Sequence, residues 1–376
     1  MSGLYIHIPF CRKACHYCDF HFSVNLKPVS DMVKALNKEL TIKAHENTEV
    51  VKTIYFGGGT PSVLSASLLH SLLQTITRHY LLDSEIEITI EANPDDINYT
   101  ILQDWFDMGI NRLSIGIQTF RPQLLESLNR SHNAIQAIKS IDMARKIGFT
   151  NISADLMFAL PEASDEILQS DLETMVSLGL PHISVYGLTI EEKTVFGQWK
   201  RDGTMPFPTD EVYAHNYRIV HDTLVGHNYE HYEISNFAKK GFLSKHNTSY
   251  WFQESYIGIG PGAHSFNGTD RKENISNNQV YLKQLALGNI PEKVEKLSQT
   301  EMMNEYIMTH LRTQFGLHLS DFRRKYGFDL ARHHHRFIHS LCQEGLATIT
   351  DDTLKLTFDG FLISDEICAK LFFVDK

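Results

Sequence analysis

The chain has 376 residues, 42% of them hydrophobic, enough for a large core and, by length, for about two domains. Its net charge of −10, from 35 Lys+Arg against 45 Asp+Glu, argues against a dedicated nucleic-acid binder. No apolar run reaches the roughly 18 residues of a membrane span, and "MSGLYIHIPFC" lacks the basic-then-apolar order of a secretory signal, so a cytoplasmic protein is expected.

The first half alternates short β-like runs with amphipathic stretches. Runs at 4–9, 53–58, 85–91, 112–118, 152–158 and 182–188 read as strands, and 31–46, 65–80, 133–147 and 164–178 as crossover helices. Such strand–helix units build an α/β fold with a parallel sheet. Nearly every strand runs into polar or glycine-rich residues: Cys11 after the first, "GGGTP" after the second, "EANP" after the third and Gln118 after the fourth, with Asp155 inside the fifth. In a (β/α) barrel those ends converge on one mouth, where sites are built. A partial barrel of six strand–helix units is therefore the economical expectation.

After about residue 285 the pattern changes. "LGNIPEK" (287–293) reads as a linker, with helices expected near 299–314, after "LHLSDF", and near 328–344, ending at Gly345. "LATITDDTLKLT" reads as a hairpin before a last helix. The expected division is 1–285 for the barrel and 286–376 for a small helical, winged-helix-like domain.

Three of the five cysteines, Cys11, Cys15 and Cys18, crowd into "CRKACHYCDF", while Cys342 and Cys368 stand alone in apolar helical surroundings. A disulfide framework would spread an even set, so the crowding reads as a metal site in a reducing compartment. The spacing lets one loop hold three irons of a cubane and leave the fourth open. The alternative is zinc, with His7, His16 or His21 as a further ligand. Glu91 and Asp155 are the carboxylates near strand ends, and Gln118 and Arg130 would share the same mouth. In "RHHHRF" (332–337) neighbouring histidines point in different directions, so a solvated helix face is expected there.

The segments "YIHIPFCRKACHYCDF", "YFGGGTPS", "EANP", "GINRLSIGIQTF", "LNRSHN" and "DLMFALP" occur in order over residues 5–161. Together they resemble the radical S-adenosylmethionine (SAM) enzymes, and within them the oxygen-independent coproporphyrinogen oxidase-like branch. The resemblance implies a [4Fe–4S] cluster on Cys11, Cys15 and Cys18, with SAM on its open iron. By motif position it implies Gly58, Gly59 and Thr60 at the methionine end of SAM. Glu91, Gln118, Arg130 and Asp155 would then hold its carboxylate, ribose and amino groups, with Tyr5 and Tyr17 in contact as well. Thr189 and His264 match positions near a second SAM site of the oxidase and receive no role.

Two functions compete within this branch. One is coproporphyrinogen III oxidase, which decarboxylates two propionates by radical SAM chemistry; the other is the HemW family of haem chaperones, which bind haem and deliver it to target proteins. The oxidase motif continues to a fourth cysteine where this chain has Phe20, and the oxidase carries an N-terminal extension where only four residues precede Tyr5 here. "KHNTSYW" (245–251) matches the HNxxYW signature of HemW. An imidazole at His246 suits an axial haem position, and Tyr250 and Trp251 offer flat surface to a porphyrin. The expectation is a HemW-like chaperone with haem as cargo near His246 and haem-requiring respiratory proteins as acceptors. Homodimerisation and transient membrane contact are implied by the resemblance alone.

Overall fold

A computed structural model describes residues 2–47 and 49–374. Six strands, β1 (Ser2–Ile8), β2 (Val51–Gly58), β3 (Leu82–Ala92), β4 (Arg112–Gln118), β5 (Asn151–Phe158) and β6 (His182–Gly187), pair in parallel in that order. Helices such as Val29–Lys43, Ala66–His79, Ala134–Ile147 and Asp165–Ser177 return the chain between them, the crossovers a parallel sheet requires. Their starts are written locally: Ser65 accepts from the Leu68 amide, and Asn133 and Gln136 form a reciprocal capping box.

Alternation along each strand sorts the two faces. Leu4, Ile6, Ile54, Phe56, Ile88, Ile90, Leu113 and Ile115 face the helices and form the fully or almost fully buried core. The opposite positions are mostly polar. Thr53, Glu87, Thr89, Arg112, Ser153 and His182 form a buried layer inside the sheet's concave side. The helix Lys245–Trp251 closes that layer: the Lys245 and His246 amides donate to the Glu87 carboxylate at 3.2 and 3.1 Å, an arrangement the helix dipole favours.

The sheet does not stop at six strands. β7 (Glu230–Glu233) and β8 (Asn236–Ala238) add an antiparallel pair beside β6. On the far edge β9 (Ser255–Ile259) runs parallel to β1, followed by antiparallel β10 (His264–Phe266), β11 (Asp270–Asn274) and β12 (Glu292–Lys296). The result is an open twelve-stranded sheet with β12 and β7 at its edges. The sheet runs to Lys296, and the last two residues of the expected linker, Glu292 and Lys293, open β12. Its sequence, "EKVEK", carries mostly charge; charged side chains suit an edge strand because they discourage further pairing, and they hide it from hydrophobic patterning.

Beyond Lys296, helix Gln299–Leu311 begins at a capping box of Ser298 and Glu301 and packs on the last helix, Ser364–Leu371. The expected hairpin is present, Ala347–Thr350 with Thr353–Leu356, turned by Asp351 and Asp352 at φ 48° and 63°. The helix expected over 328–344 is two, Leu330–His333 and His335–Gln343. His335 and His339 are exposed, whereas burial pushes the Cys368 thiol up to about 11. Met303, Ile307, Leu341 and Leu371 join the core that the sheet begins. Among the described residues no helix is long and apolar enough to cross a membrane.

Candidate functional site

The C-terminal ends of β1–β6 surround a cavity of about 560 Å³, within the range of small-molecule and cofactor sites, about 300–1,000 Å³. The cysteine loop lies across it and is fastened from three sides. Cys11 N donates to Ser23 O at 3.1 Å and Ser23 N to Pro9 O at 2.9 Å, closing the loop on itself. Gly59 N and Thr60 N donate to Ile8 O and Phe10 O at 2.9 and 2.8 Å, tying it to the turn after β2. His16 bonds the carbonyls of Leu128 and Ser127, through its amide and Nδ1 respectively. The glycine run is dictated by this contact: a Cβ on Gly59 would lie 2.7 Å from Phe10 O and 2.8 Å from Ile8 O, and Gly58 adopts φ +105°.

Cys11, Cys15 and Cys18 all line the cavity. Thr60 Oγ1 donates to Cys11 Sγ at 3.2 Å, and the Arg130 guanidinium donates to Cys15 Sγ at 3.4 Å. Burial pushes the Cys11 thiol up to about 11, with the neighbouring thiols contributing less. Ligation needs thiolates, so filling the site releases protons. No imidazole shares this lining. His7 Nε2 donates to His21 O at 2.8 Å while its Nδ1 accepts from Tyr5, His21 Nε2 bonds Asn278 Oδ1 at 2.8 Å, and His16 is held as described. Three thiols with hydrogen-bond donors aimed at sulfur and no histidine suit an iron–sulfur cluster better than zinc.

Around the thiols stand the remaining strand-end groups. Arg130 spans the mouth, donating to Asn93 Oδ1 and Gly116 O at 2.7 Å each. Glu91 accepts from Tyr55 Oη at 2.8 Å and from the Gly58 amide at 3.2 Å, and Ser114 Oγ donates to Asp155 at 3.4 Å. Gln118 ends β4 at φ +72°, next to a register irregularity. This sparsely populated conformation for a non-glycine residue aims its side chain at the cavity it lines. Burial raises Glu91 to about 7 and Asp155 to about 6, against the partial relief of their hydrogen bonds and of Arg112.

Those two carboxylates yield a signed pH prediction. A ligand with an ammonium or sulfonium charge pairs with the ionised carboxyls, so SAM affinity should rise as pH increases through about 6 to 7 and level off above. Calorimetric titration between pH 5.5 and 8.5 checks this, and affinity that falls over that range would overturn it. The same shift costs the ligand-free fold stability as pH rises from the ordinary glutamate value toward about 7, because the folded state binds the extra proton.

Eleven residues expected at the SAM and cluster site meet at this one cavity: the three cysteines, Tyr17, Gly58, Gly59, Thr60, Glu91, Gln118, Arg130 and Asp155. Thr189 joins them. Tyr5 does not: it lines a neighbouring cavity, and its ring lies among Tyr55, His7 and His246, with centroids 6.0–6.4 Å away. His246 lines neither. It is 1% exposed, bonded through Nδ1 to Thr53 Oγ1 and through Nε2 to Tyr250 Oη at 2.8 Å each, and stacked 4.9 Å from Tyr55. Both nitrogens of this imidazole are engaged here, which leaves neither free for a haem iron, and the ring packs behind the Glu91–Tyr55 pair.

The cavity also draws on residues not anticipated. Ser114 and Met157 sit on the inward parity of β4 and β5, two positions from Gly116 and Asp155, and strand alternation signals them. Leu188, just past β6, keeps the inward parity of His182, whereas Glu191 comes from the loop beyond, where no periodicity exists to reveal it.

This fold, carrying a three-cysteine loop over the strand ends, defines a radical SAM protein. The Radical SAM superfamily matches residues 5–175, and the HemN C-terminal domain matches 297–363, immediately after β12. The solved structure of coproporphyrinogen III oxidase (HemN) from Escherichia coli superposes with a TM-score of 0.85 over 99% of this chain and 90% of that one, at 22% identity, a likeness of fold. In sequence the chain is 38% identical to the heme chaperone HemW of Bacillus subtilis over 98% of both chains. It is 35% identical to that of Lactococcus lactis over 100% of this chain and 98% of the relative. The chain belongs to the HemW family of haem chaperones.

Proposed function

We propose that this protein carries a [4Fe–4S] cluster and SAM, binds haem as cargo, and hands it to haem-requiring respiratory proteins. Full-length likeness to curated heme chaperones carries the haem part of the reading. The histidine-free thiol cavity supports the cofactor part. Cys11, Cys15 and Cys18 would hold the cluster, with Arg130 and Thr60 donating to sulfur and stabilising its negative charge. Gly58 and Gly59 line the cavity at the turn where the methionine end of SAM would lie, Glu91 and Asp155 offer acceptors for its cationic groups, and Gln118 and Arg130 supply donors. Bound together, the two cofactors would supply one-electron chemistry; this chain's own groups bind, orient and shield them. Phe20 stands where the oxidase motif has its fourth cysteine, which favours the chaperone over coproporphyrinogen oxidation.

The test pairs two assays on the anaerobically reconstituted protein. Haem titration should give a saturable Soret shift, and incubation with coproporphyrinogen III, SAM and reductant should give no protoporphyrinogen. Turnover in the second assay would sink the chaperone reading.

A further inference from the structure

The neighbouring cavity, about 520 Å³, opens at the seam between the antiparallel extension of the sheet and helix Gln299–Leu311. One wall is a sheet face. Phe266 on β10 pairs with Tyr256 on β9 and with Arg271 on β11, and His264 lies two residues before it. Cross-strand partners and residues two apart share a face, so all four present their side chains together. The other wall is helical: Glu305, Met308 and Thr309 follow the i, i+3, i+4 spacing of one helix face. Tyr250 packs edge-on against Tyr256 with centroids 4.6 Å apart, continuing the aromatic lining, and Phe20, 72% exposed, stands on the rim shared with the thiol cavity.

The imidazoles here differ in availability. His7 has both ring nitrogens occupied, and His21 has one held by Asn278. His264 is exposed to the cavity, and among the described residues neither of its nitrogens makes a hydrogen bond. An uncommitted imidazole beside flat aromatic surface is what a planar, apolar metallomacrocycle requires of a protein. Arg271, paired with Glu305 at 2.8 Å, is the guanidinium on this lining. The pair is partly exposed, so exchanging its carboxylate for a haem propionate costs little.

We propose that haem sits in this second cavity, between the β9–β11 face and helix Gln299–Leu311, with His264 as its iron ligand. The proposal rests on the haem-chaperone reading above and supplies the seat that His246 does not.

The experiment titrates the full-length protein with ferric haem and follows the Soret band and the EPR spectrum for the wild type, His264→Ala and His21→Ala. His264 is exposed, so its removal leaves the core intact. Expected for His264→Ala are a displaced Soret band, loss of the imidazole-type EPR signal, affinity weaker by about tenfold or more, and restoration of the band by added free imidazole. His21→Ala should keep the wild-type spectrum. A His264→Ala protein with unchanged spectrum and affinity overturns the placement while leaving the chaperone reading standing, as does a spectral change confined to His21→Ala. Absence of any haem-dependent shift in the wild type removes the chaperone reading itself.

Discussion

Cys15→Ser should abolish the brown chromophore of the reconstituted protein and bring its bound iron close to zero. Cys15 occupies the middle of the loop, with Cys11 anchored at one end beside Thr60 and Cys18 at the other. A cubane held by three thiolates has no spare protein ligand, and no imidazole lines the cavity the thiols share. The hydroxyl of serine is a harder and far less acidic donor than a thiol, so it cannot substitute. The same change leaves the Arg130 guanidinium without its sulfur acceptor while its bonds to Asn93 and Gly116 persist, so the fold should survive. Visible absorbance near the cluster band, iron analysis and far-UV circular dichroism read the three outcomes. Stoichiometric zinc in the wild type with no cubane EPR signal would defeat the cluster assignment.

His246→Ala should destabilise the protein by about 2–4 kcal/mol, the combined effect of a core cavity and of buried polar groups left unpaired. Thr53 Oγ1 and Tyr250 Oη each lose a partner 2.8 Å away inside the sheet, and Tyr55 loses the ring stacked on it. Burial holds the imidazole neutral, its pKa lowered to about 3, so its contribution is full above the ordinary histidine value of about 6.5 and declines as pH falls below it, where the unfolded chain takes up the proton. The urea midpoint should fall with little change in slope. Because Tyr55 also holds Glu91, SAM affinity should weaken while the haem Soret position stays as in the wild type. Unchanged stability together with a displaced Soret band would return His246 to the iron.

Much of this architecture was legible residue by residue. The six parallel strands were readable because each carries its own alternation of helix-facing Leu, Ile and Phe, and helices between and beyond them because their caps are local: Ser65 and Asn133 between the strands, Ser298 after the sheet. The short strands β7–β11 and the charged edge strand β12 were not, since three to five residues are held by their neighbours' hydrogen bonds and not by any pattern of their own. A similar limit applied to "KHNTSYW". Its letters announce one histidine and two aromatics, but that the segment is a helix, and which way it faces, depends on Glu87, far away in sequence, capturing its first amides.

By itself, then, the sequence determined the three-thiol loop, its glycine turn and the inward parity of Glu91, Gln118 and Asp155. Cysteine spacing, glycine's freedom and strand alternation are properties of short stretches. Only the tertiary structure decided which imidazoles are free. His246 and His264 look alike as letters, but long-range contacts lock the first between Thr53 and Tyr250 and leave the second open to a cavity that β10 and the helix Gln299–Leu311 enclose from opposite ends of the folded sheet's sequence.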